Sequence, residues 1–432
     1  MAGDYDLVVV GNNAAARFAA IAAKQRSARV ALISVAPEAI PHHLILSQWA
    51  QTRRQPPLGA EEWAAALILN LQASRSPAKL ASLGIEQIDG VAQFCHKPQL
   101  QVQVQNRVLR SRRYLLCLDA DLPPPDIPGM PVEDWIRPAQ IMSQLETLDA
   151  SHSLLVVGEG PVSTILSQAL AHLGYSVHLL SQHSHLLPGE DAEAALRVQA
   201  HLEAEGVHLY THCQIKEVLQ QPLYQVVTAD QGTLIASALI WAEESSSACL
   251  DPNRVTVNLR HTPQGLWVNA QLQTSHPQIY ACGSVLGGYT LADIAHYEAT
   301  VAVHNTLSRP KQVDYQTLPW AIQTVPALAR VGLTEAQAQQ TAQPFQVIYQ
   351  PFKNTERGRL QDEQSGWCKL IVHQNGQILG AHVVGPAASE IVHLVSMAMK
   401  QQCSMADLTE WAAFEASYGS IVGQAAQQWN GR

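Results

Sequence analysis

Residues 6–34 read Asp-Leu-Val-Val-Val-Gly-Asn-Asn-Ala-Ala-Ala-Arg-Phe-Ala-Ala-Ile-Ala-Ala-Lys-Gln-Arg-Ser-Ala-Arg-Val-Ala-Leu-Ile-Ser. An apolar run from Leu7 to Val10 breaks at Gly11. An alanine-rich stretch of helical character follows to about Lys24, and a second apolar run fills Val30 to Ile33. Strand, tight turn, helix and parallel strand make the βαβ unit that binds a dinucleotide in doubly wound folds. Its usual fingerprint is Gly-x-Gly-x-x-Gly, with an acid closing the second strand to hold a ribose. Only Gly11 matches that pattern. Asn13 and Ala16 stand at the other two glycine positions, and Ser34 stands where the acid belongs. A Cβ on Asn13 is expected to crowd a pyrophosphate, although asparagine accepts left-handed backbone better than most residues.

A second copy lies further on. Leu154-Leu-Val-Val-Gly-Glu-Gly-Pro-Val-Ser opens a helix to about His172, and Val177-His-Leu-Leu-Ser181 supplies the next strand. Gly158 stands 147 positions after Gly11, so the chain carries an internal repeat of Rossmann-like units. A lone Gly-x-Gly is weak evidence, but two copies in matched contexts point to a two-dinucleotide fold. Here Gly158 can make the tight turn and Gly160 lets a backbone approach a pyrophosphate. Ser163 replaces the third glycine, which governs helix–strand packing, and Ser181 replaces the ribose acid.

Composition sets the outer limits. The 432 residues are 47% hydrophobic and 15% charged, enough for two or three domains with ample cores. A net charge of −9 without a basic run argues against nucleic acid and against an anionic membrane surface. No apolar stretch reaches membrane-span length and no signal-peptide layout opens the chain, so a cytoplasmic protein is expected. The seven cysteines (95, 117, 213, 249, 282, 368 and 403) have no Cys-x-x-Cys spacing, which fits reduced, mostly buried thiols. The adjacent His42 and His43 have no carboxylate or cysteine at ligand spacing and read as surface histidines, not a metal site.

Other stretches complete the outline. Residues 84–119 alternate apolar and polar and predict a small antiparallel sheet ending in a buried strand. A stiff Pro-rich connection follows from Leu122. A long helix is expected from about Leu187 to Glu205, with further sheet from Val207 and from Gln214. Ile279-Tyr-Ala-Cys-Gly-Ser is an apolar strand meeting a turn, with a helix from Leu291 to about Asn305. The pair Asn375-Gly376 between Lys369–His373 and Gln377–Val384 signals a hairpin. Ser389 to Lys400 reads as an amphipathic helix with Ile391, Leu394, Val395 and Ala398 on one face.

Taken together, these features resemble the flavin-dependent pyridine nucleotide–disulfide oxidoreductases, the family of dihydrolipoamide dehydrogenase, glutathione reductase and mercuric reductase. The resemblance runs nearly full length. It rests on the order of the βαβ units, on Leu186-Leu-Pro-Gly-Glu-Asp191, and on Thr274-Ser-x-Pro-x-Ile-Tyr-Ala-x-Gly283. Val331-Gly-Leu-Thr-Glu335-Ala and Ile378-Leu-Gly-Ala-His-Val-Val-Gly-Pro-x-Ala-Ser-Glu390 extend it to a C-terminal dimerisation domain.

The resemblance implies a fold class: α/β, with two Rossmann-like dinucleotide-binding domains in three layers around parallel sheets, plus an α+β dimerisation domain. It implies an FAD-type domain at 1–150 and 272–312, an NAD(P)-type domain at 151–271 and a dimerisation domain at 313–432. Carried over residue by residue, the family's redox cysteines fall at Ala39 and Leu44, and its histidine–glutamate pair at about Glu415 and Ser420. Its lysine–glutamate pair falls at Gln48 and Ile165, and the aspartate that holds the flavin is Ser284. The Ala-Thr-Gly turn reads Cys117-Leu-Asp119, and the later Gly-Arg turn reads Glu244-Ser245.

Each hydrogen bond to a charged or buried group is worth about 1–3 kcal/mol, so these losses together remove roughly 5–9 kcal/mol from a flavin site. FAD is therefore expected to be weak or absent. NAD(P) is expected, if anywhere, at Gly158, Gly160 and Ser181, with His183 and His185 as weak candidates for a 2′-phosphate. The expected function is a degenerate homologue, a pseudoenzyme with a scaffold or ligand-binding role. The alternative is an FAD/NAD(P)H-dependent oxidoreductase acting without a protein disulfide. A homodimer through residues of about 315–432 is expected, with Trp367, Trp411 and Phe414 as apolar anchors.

Overall fold

The computed structural model describes residues 4–11, 13–35, 41–53, 60–95, 99–118, 126–148, 151, 153–221, 223–243, 255–288, 291–410 and 416–429. The first section holds β1 (Tyr5–Gly11), α1 (Ala14–Gln25), β2 (Val30–Ser34), α2 (His42–Arg53), α3 (Ala60–Gln72) and α4 (Pro77–Ser82). It continues through β3 (Glu86–Asp89), β4 (Ala92–Cys95), β5 (Gln101–Val104), β6 (Arg107–Leu109) and β7 (Ser111–Cys117). The middle section holds α5 (Ile141–Gln144), β8 (Leu154–Val157), α6 (Pro161–His172), β9 (Val177–Leu180), α7 (Ala192–Ala204) and β10 (Val207–Tyr210). Then come β11 (Ile215–Gln221), β12 (Leu223–Thr228), β13 (Thr233–Ala236), β14 (Ala238–Trp241), β15 (Val255–Thr256) and β16 (Ile279–Cys282).

Two parallel sheets follow one plan. The first has the order β16-β7-β1-β2-β3 and the second β10-β9-β8-β14. In both, the glycine-turn strand (β1 or β8) pairs with the next strand of its βαβ unit on one side and with a later strand on the other. Parallel strands sandwiched between layers are apolar on both faces. Thus Leu7 and Val9 face α1, whereas Val8 and Val10 face the small sheet of β4, β5 and β6 with Phe94, Val102 and Val104. The second unit repeats this: Leu154 and Val156 pack under α6 and α7, and Leu155 and Val157 meet the antiparallel β11-β12-β13 sheet. Three layers around each parallel sheet result, as the sequence implied.

The last section holds α8 (Ala292–Leu307), β17 (Trp320–Ile322), β18 (Leu328–Gly332), α9 (Glu335–Gln340), β19 (Phe345–Pro351) and α10 (Glu356–Leu360). It ends with β20 (Trp367–His373), β21 (Ile378–Val384), α11 (Ala388–Lys400), α12 (Met405–Glu410) and α13 (Ser420–Gln427). Its five strands form an antiparallel sheet, β17-β18-β21-β20-β19, under α11, α12 and α13. The Asn375-Gly376 turn closes β20 on β21, with Gly376 at φ 90° where only glycine is unstrained.

The Leu186–Asp191 motif joins this sheet to the second unit. Lys369 of β20 is buried with its Nζ 3.2 Å from Asp191 Oδ2, 2.9 Å from Glu193 Oε2 and 2.6 Å from Glu335 Oε2. Beside it Arg330 stacks 4.5 Å over the Trp320 ring and lies 3.5 Å from Glu190 Oε2. Buried charges persist only when paired in this way.

Several expectations need correction. β3 joins the first parallel sheet beside β2, not the antiparallel sheet expected for residues 84–119. The sheet expected from Val207 is present as β10, which joins the second parallel sheet beside β9. Helix α7 begins at Ala192, because Leu187 at φ 54° and the Pro188-Gly189 turn precede its cap Asp191. His42 and His43 start α2 half-buried instead of on the surface. Burial first, and the neighbouring His42 second, push the His43 pKa down to about 4. On α11 the buried face is Ile391, Val392, Val395 and Ala398, whereas Leu394 points outward. Trp367 is consumed in the core and is no surface anchor. Trp411 and Phe414 lie outside the described residues.

Candidate functional site

The first cleft is built where β1 turns into α1. A Cβ on Gly11 would stand 2.1 Å from the Cys117 carbonyl oxygen and 2.9 Å from Ala16 Cβ, so only glycine fits. Position 16, the third of the fingerprint, is thus a packing contact of the first. Asn13 is not left-handed: it takes extended backbone (φ −109°, ψ 175°) and caps α1. Its Oδ1 accepts the Ala16 amide at 2.9 Å. Asparagine is among the best residues for this, because its side-chain oxygen answers an amide that the helix cannot. The side chain also reaches across the cleft, with Nδ2 4.0 Å from the position a Cβ on Gly283 would take. A buried side chain thus stands where the fingerprint has its second glycine.

The opposite wall is the turn after β16. Gly283 has φ 89°, and Ser284 behind it is buried. Glu298 of α8 reaches this turn from below, its Oε2 accepting the Gly283 amide at 2.7 Å and its Oε1 the Tyr315 hydroxyl at 2.7 Å. Burial pushes the Glu298 carboxyl up to about 6, against the pull of those two hydrogen bonds. Ser34, at the end of β2, is buried and its carbonyl accepts the Gly90 amide at 3.0 Å.

In the second cleft the same positions are arranged differently. A Cβ on Gly158 (φ 146°) would stand 2.6 Å from the Ala242 carbonyl oxygen and 2.8 Å from Ser163 Cβ, which mirrors Gly11, Cys117 and Ala16. Gly160 caps α6 with no side chain, and its backbone (φ −86°, ψ −173°) is extended. The Ser163 and Thr164 hydroxyls turn inward to the Gly160 carbonyl at 3.0 and 2.7 Å. The N-cap of α6 thus carries no side chain of its own, unlike Asn13 at α1.

An acid does occupy the ribose corner, but it comes from the turn. Ser181 Oγ donates to Glu159 Oε2 at 2.9 Å, and the His183 amide donates to the same oxygen at 3.1 Å. The His183 ring pairs with Oε1 of Glu159. A carboxylate offers about four acceptor sites. Ser181 and His183 take three of them. His185 turns away, its Nδ1 2.7 Å from the Leu186 carbonyl.

Of the other positions that resemblance assigns to chemistry, two are apolar. Leu44 packs in α2 against the second unit's core, and Ile165 of α6 is buried beside it, while Gln48 is exposed. Ser420 begins α13 with its Oγ donating to the Ser417 carbonyl at 2.7 Å. Ala39, Asp119, Glu244, Ser245 and Glu415 lie outside the described residues. Among the described residues no three His, Cys, Asp or Glu side chains group as a metal site, and no helix is long and apolar enough to cross a membrane.

Sequence reasoning passed over Glu159, Glu298 and the contact between Cys117 and Cys282. Glu298 had one signal, a lone acid amid the apolar face of a helix. The cysteines had another, since each closes an apolar run, Tyr114–Cys117 and Ile279–Cys282; Glu159 had none beyond its place between two glycines.

Known proteins frame this geometry. The sequence model of the family described as pyridine nucleotide-disulphide oxidoreductase matches residues 5–299, and that of its dimerisation domain matches residues 318–425. Mercuric reductase of Staphylococcus aureus is 28% identical over 94% of this chain and 79% of its own length. Dihydrolipoyl dehydrogenase of Bacillus subtilis (strain 168) is 25% identical over 76% of this chain and 71% of its own. Among solved structures, the HOCl-induced flavoprotein disulfide reductase RclA from Escherichia coli superposes with a TM-score of 0.82 at 21% identity, covering 99% of this chain and 100% of that one. LpdA from Mycobacterium tuberculosis gives 0.83 at 21% identity, over 98% and 99% of the two chains. At that identity the structures bear on fold alone.

Proposed function

The chain belongs to the pyridine nucleotide-disulphide oxidoreductase family, and within it we propose a dinucleotide-binding homodimer that runs no internal dithiol cycle. A nicotinamide dinucleotide occupies the second cleft, and the first holds FAD weakly or not at all. The observation that carries this reading is the contrast between the two helix ends: the buried Asn13 side chain caps α1, and α6 is capped by Gly160, which has no side chain. A helix N-terminus attracts phosphate through its amides and dipole. The attraction is usable only where no side chain stands in the way.

Glu159 deepens the reading toward NAD(H). A carboxylate accepts a ribose 2′-hydroxyl and repels a 2′-phosphate, and its pairing with His183 leaves that imidazole little to offer an anion. The three sections correspond to an FAD-type domain (1–150 and 272–312), an NAD-type domain (151–271) and a dimerisation domain (313–432).

Self-association uses the outer face of α11, where Leu394 and Met397 are 40% and 59% exposed. They are consecutive turns of one stripe, and a two-fold interface needs only one such patch per copy. Without thiols at Ala39 and Leu44, the dimer serves as a scaffold or nucleotide sensor.

A second reading keeps flavin chemistry without a protein disulfide. It is favoured by the retention of Gly11 and Gly283, the two glycines that shape the first cleft. Heat-denatured protein separates the two: released FAD near one per chain supports the second reading, and little or none supports the first.

A further inference from the structure

Cys117 and Cys282 end the neighbouring strands β7 and β16 and are direct partners in the parallel register. Their sulfurs are 3.1 Å apart. Both side chains are fully buried. They stand 165 residues apart in sequence, and no spacing motif announces them. Paired residues on adjacent strands lie about 4.7–4.9 Å apart across the sheet. Disulfides span Cα separations of about 4.4–6.8 Å, so this register accepts a bond without moving a strand.

We propose that Cys117 and Cys282 are a redox site, a buried cross-strand dithiol that small neutral oxidants such as hydroperoxides convert to a disulfide. One sulfur, as thiolate, attacks a peroxide oxygen. The O–O bond breaks, a sulfenic acid forms, and the departing hydroxide or alkoxide takes the first thiol's proton to leave as water or alcohol. The second sulfur then attacks the sulfenic sulfur; the S–S bond forms, the S–O bond breaks, and the hydroxyl leaves as water with the second thiol's proton. Two thiols lose two electrons and two protons to one hydroperoxide.

Placement makes this more than a pair of core thiols. The Cys117 carbonyl is the atom against which Gly11 closes, and Cys282 leads directly into Gly283 and Ser284. A bond between the sulfurs therefore staples together the two strand ends that carry both walls of the first cleft. Because neither sulfur is exposed, reaction requires local opening of the strand ends that admits an oxidant as small as a peroxide, and bulky disulfides such as oxidised glutathione are excluded. The other described cysteines lack this arrangement: Cys95 and Cys403 are half-buried, and Cys213 and Cys368 lie in separate cores. The site does not depend on whether either cleft holds a nucleotide.

The full-length protein is reduced, desalted, exposed to hydrogen peroxide, then denatured and alkylated with N-ethylmaleimide. Seven alkylated thiols are expected before oxidation. Five are expected after it, with a non-reduced digest yielding the peptide that links residues 117 and 282. Dithiothreitol restores seven, and oxidised glutathione at the same concentration leaves seven. In Cys117→Ser and Cys282→Ser the paired loss disappears, with folding checked by circular dichroism. The wild-type peptide map needs no variant and decides the matter if a variant fails to fold. Seven alkylated thiols after peroxide, or a linkage between other cysteines, overturns the proposal.

Discussion

Ser181 donates its hydroxyl to the Glu159 carboxylate at 2.9 Å, so the acid in the second cleft's ribose corner comes from the glycine turn and not from the end of β9. That placement makes the corner's preference testable. NADH is expected to bind more tightly than NADPH. Glu159→Gln is expected to narrow the gap by roughly tenfold, the worth of one hydrogen bond to a charged group. Fluorescence titration of both nucleotides measures it. Tighter NADH binding by the variant would mean that Glu159 blocks the ribose.

The first cleft responds to Asn13. Asn13→Ala removes the α1 cap and is expected to cost about 1 kcal/mol of stability, whereas Asn13→Gly costs only a few tenths. The glycine variant also reopens the pyrophosphate approach and is expected to retain more FAD than the wild type when reconstituted and desalted. Urea melts and absorbance of the desalted protein give the two readouts. Equal flavin retention in both proteins would show that Asn13 is not the obstacle.

Glu298 supplies a pH signature. Its folded carboxyl titrates at about 6 against an ordinary 4.5. The folded chain therefore holds this proton more tightly than the unfolded one. The stabilisation is full below pH 4.5 and lost as pH rises through 6. A shift of this size corresponds to about 2 kcal/mol. Glu298→Gln cannot titrate, so wild-type stability is expected to fall relative to the variant by about that amount between pH 4.5 and 7. Urea melts across the range check it, and parallel curves would contradict the assignment.

Lys369 pairs at once with Asp191, Glu193 and Glu335. Lys369→Met leaves Asp191 buried and unpaired and is expected to cost about 3–5 kcal/mol. Asp191→Asn with Lys369→Met is expected to recover part of that loss, which a double-mutant cycle by denaturant melts would reveal.

The outer stripe of α11 tests self-association. Leu394→Glu with Met397→Glu places two charges on the outer face of α11, away from its buried residues Ile391, Val392 and Val395. The variant is expected to run as a 47.0 kDa monomer and the wild type at twice that mass by light scattering. A wild-type monomer would refute the dimer, and a dimeric variant would move the interface elsewhere.

Much of this architecture was legible because strand burial and glycine turns leave local marks. The runs Leu7–Val10 and Leu154–Val157 are apolar on both faces, and Gly11 and Gly158 stand where a Cβ would strike a neighbouring carbonyl. What the sequence concealed was set by tertiary placement. Leu394 fits the apolar period of α11 but falls on its outer side, because the helix is rolled by the packing of Ile391, Val392 and Val395. β3 and β10 are too short to declare which sheet they join. In the clefts, Asn13 looked like a failed glycine, and only its extended backbone identifies it as a cap. Glu159 acts across 22 residues through a side-chain hydrogen bond that no motif encodes.

The central claim is that the second cleft, and not the first, is the working nucleotide site. Gly160 has backbone angles open to any residue, so Gly160→Val is compatible with the turn and places a side chain at the start of α6. Wild-type protein, purified without added flavin, is titrated anaerobically with NADH by calorimetry and absorbance beside this variant. The account predicts one NADH per wild-type chain, none per variant chain, no visible flavin band and no long-wavelength charge-transfer band. Near-stoichiometric bound FAD whose spectrum bleaches on NADH addition, or equal NADH binding by both proteins, would contradict it.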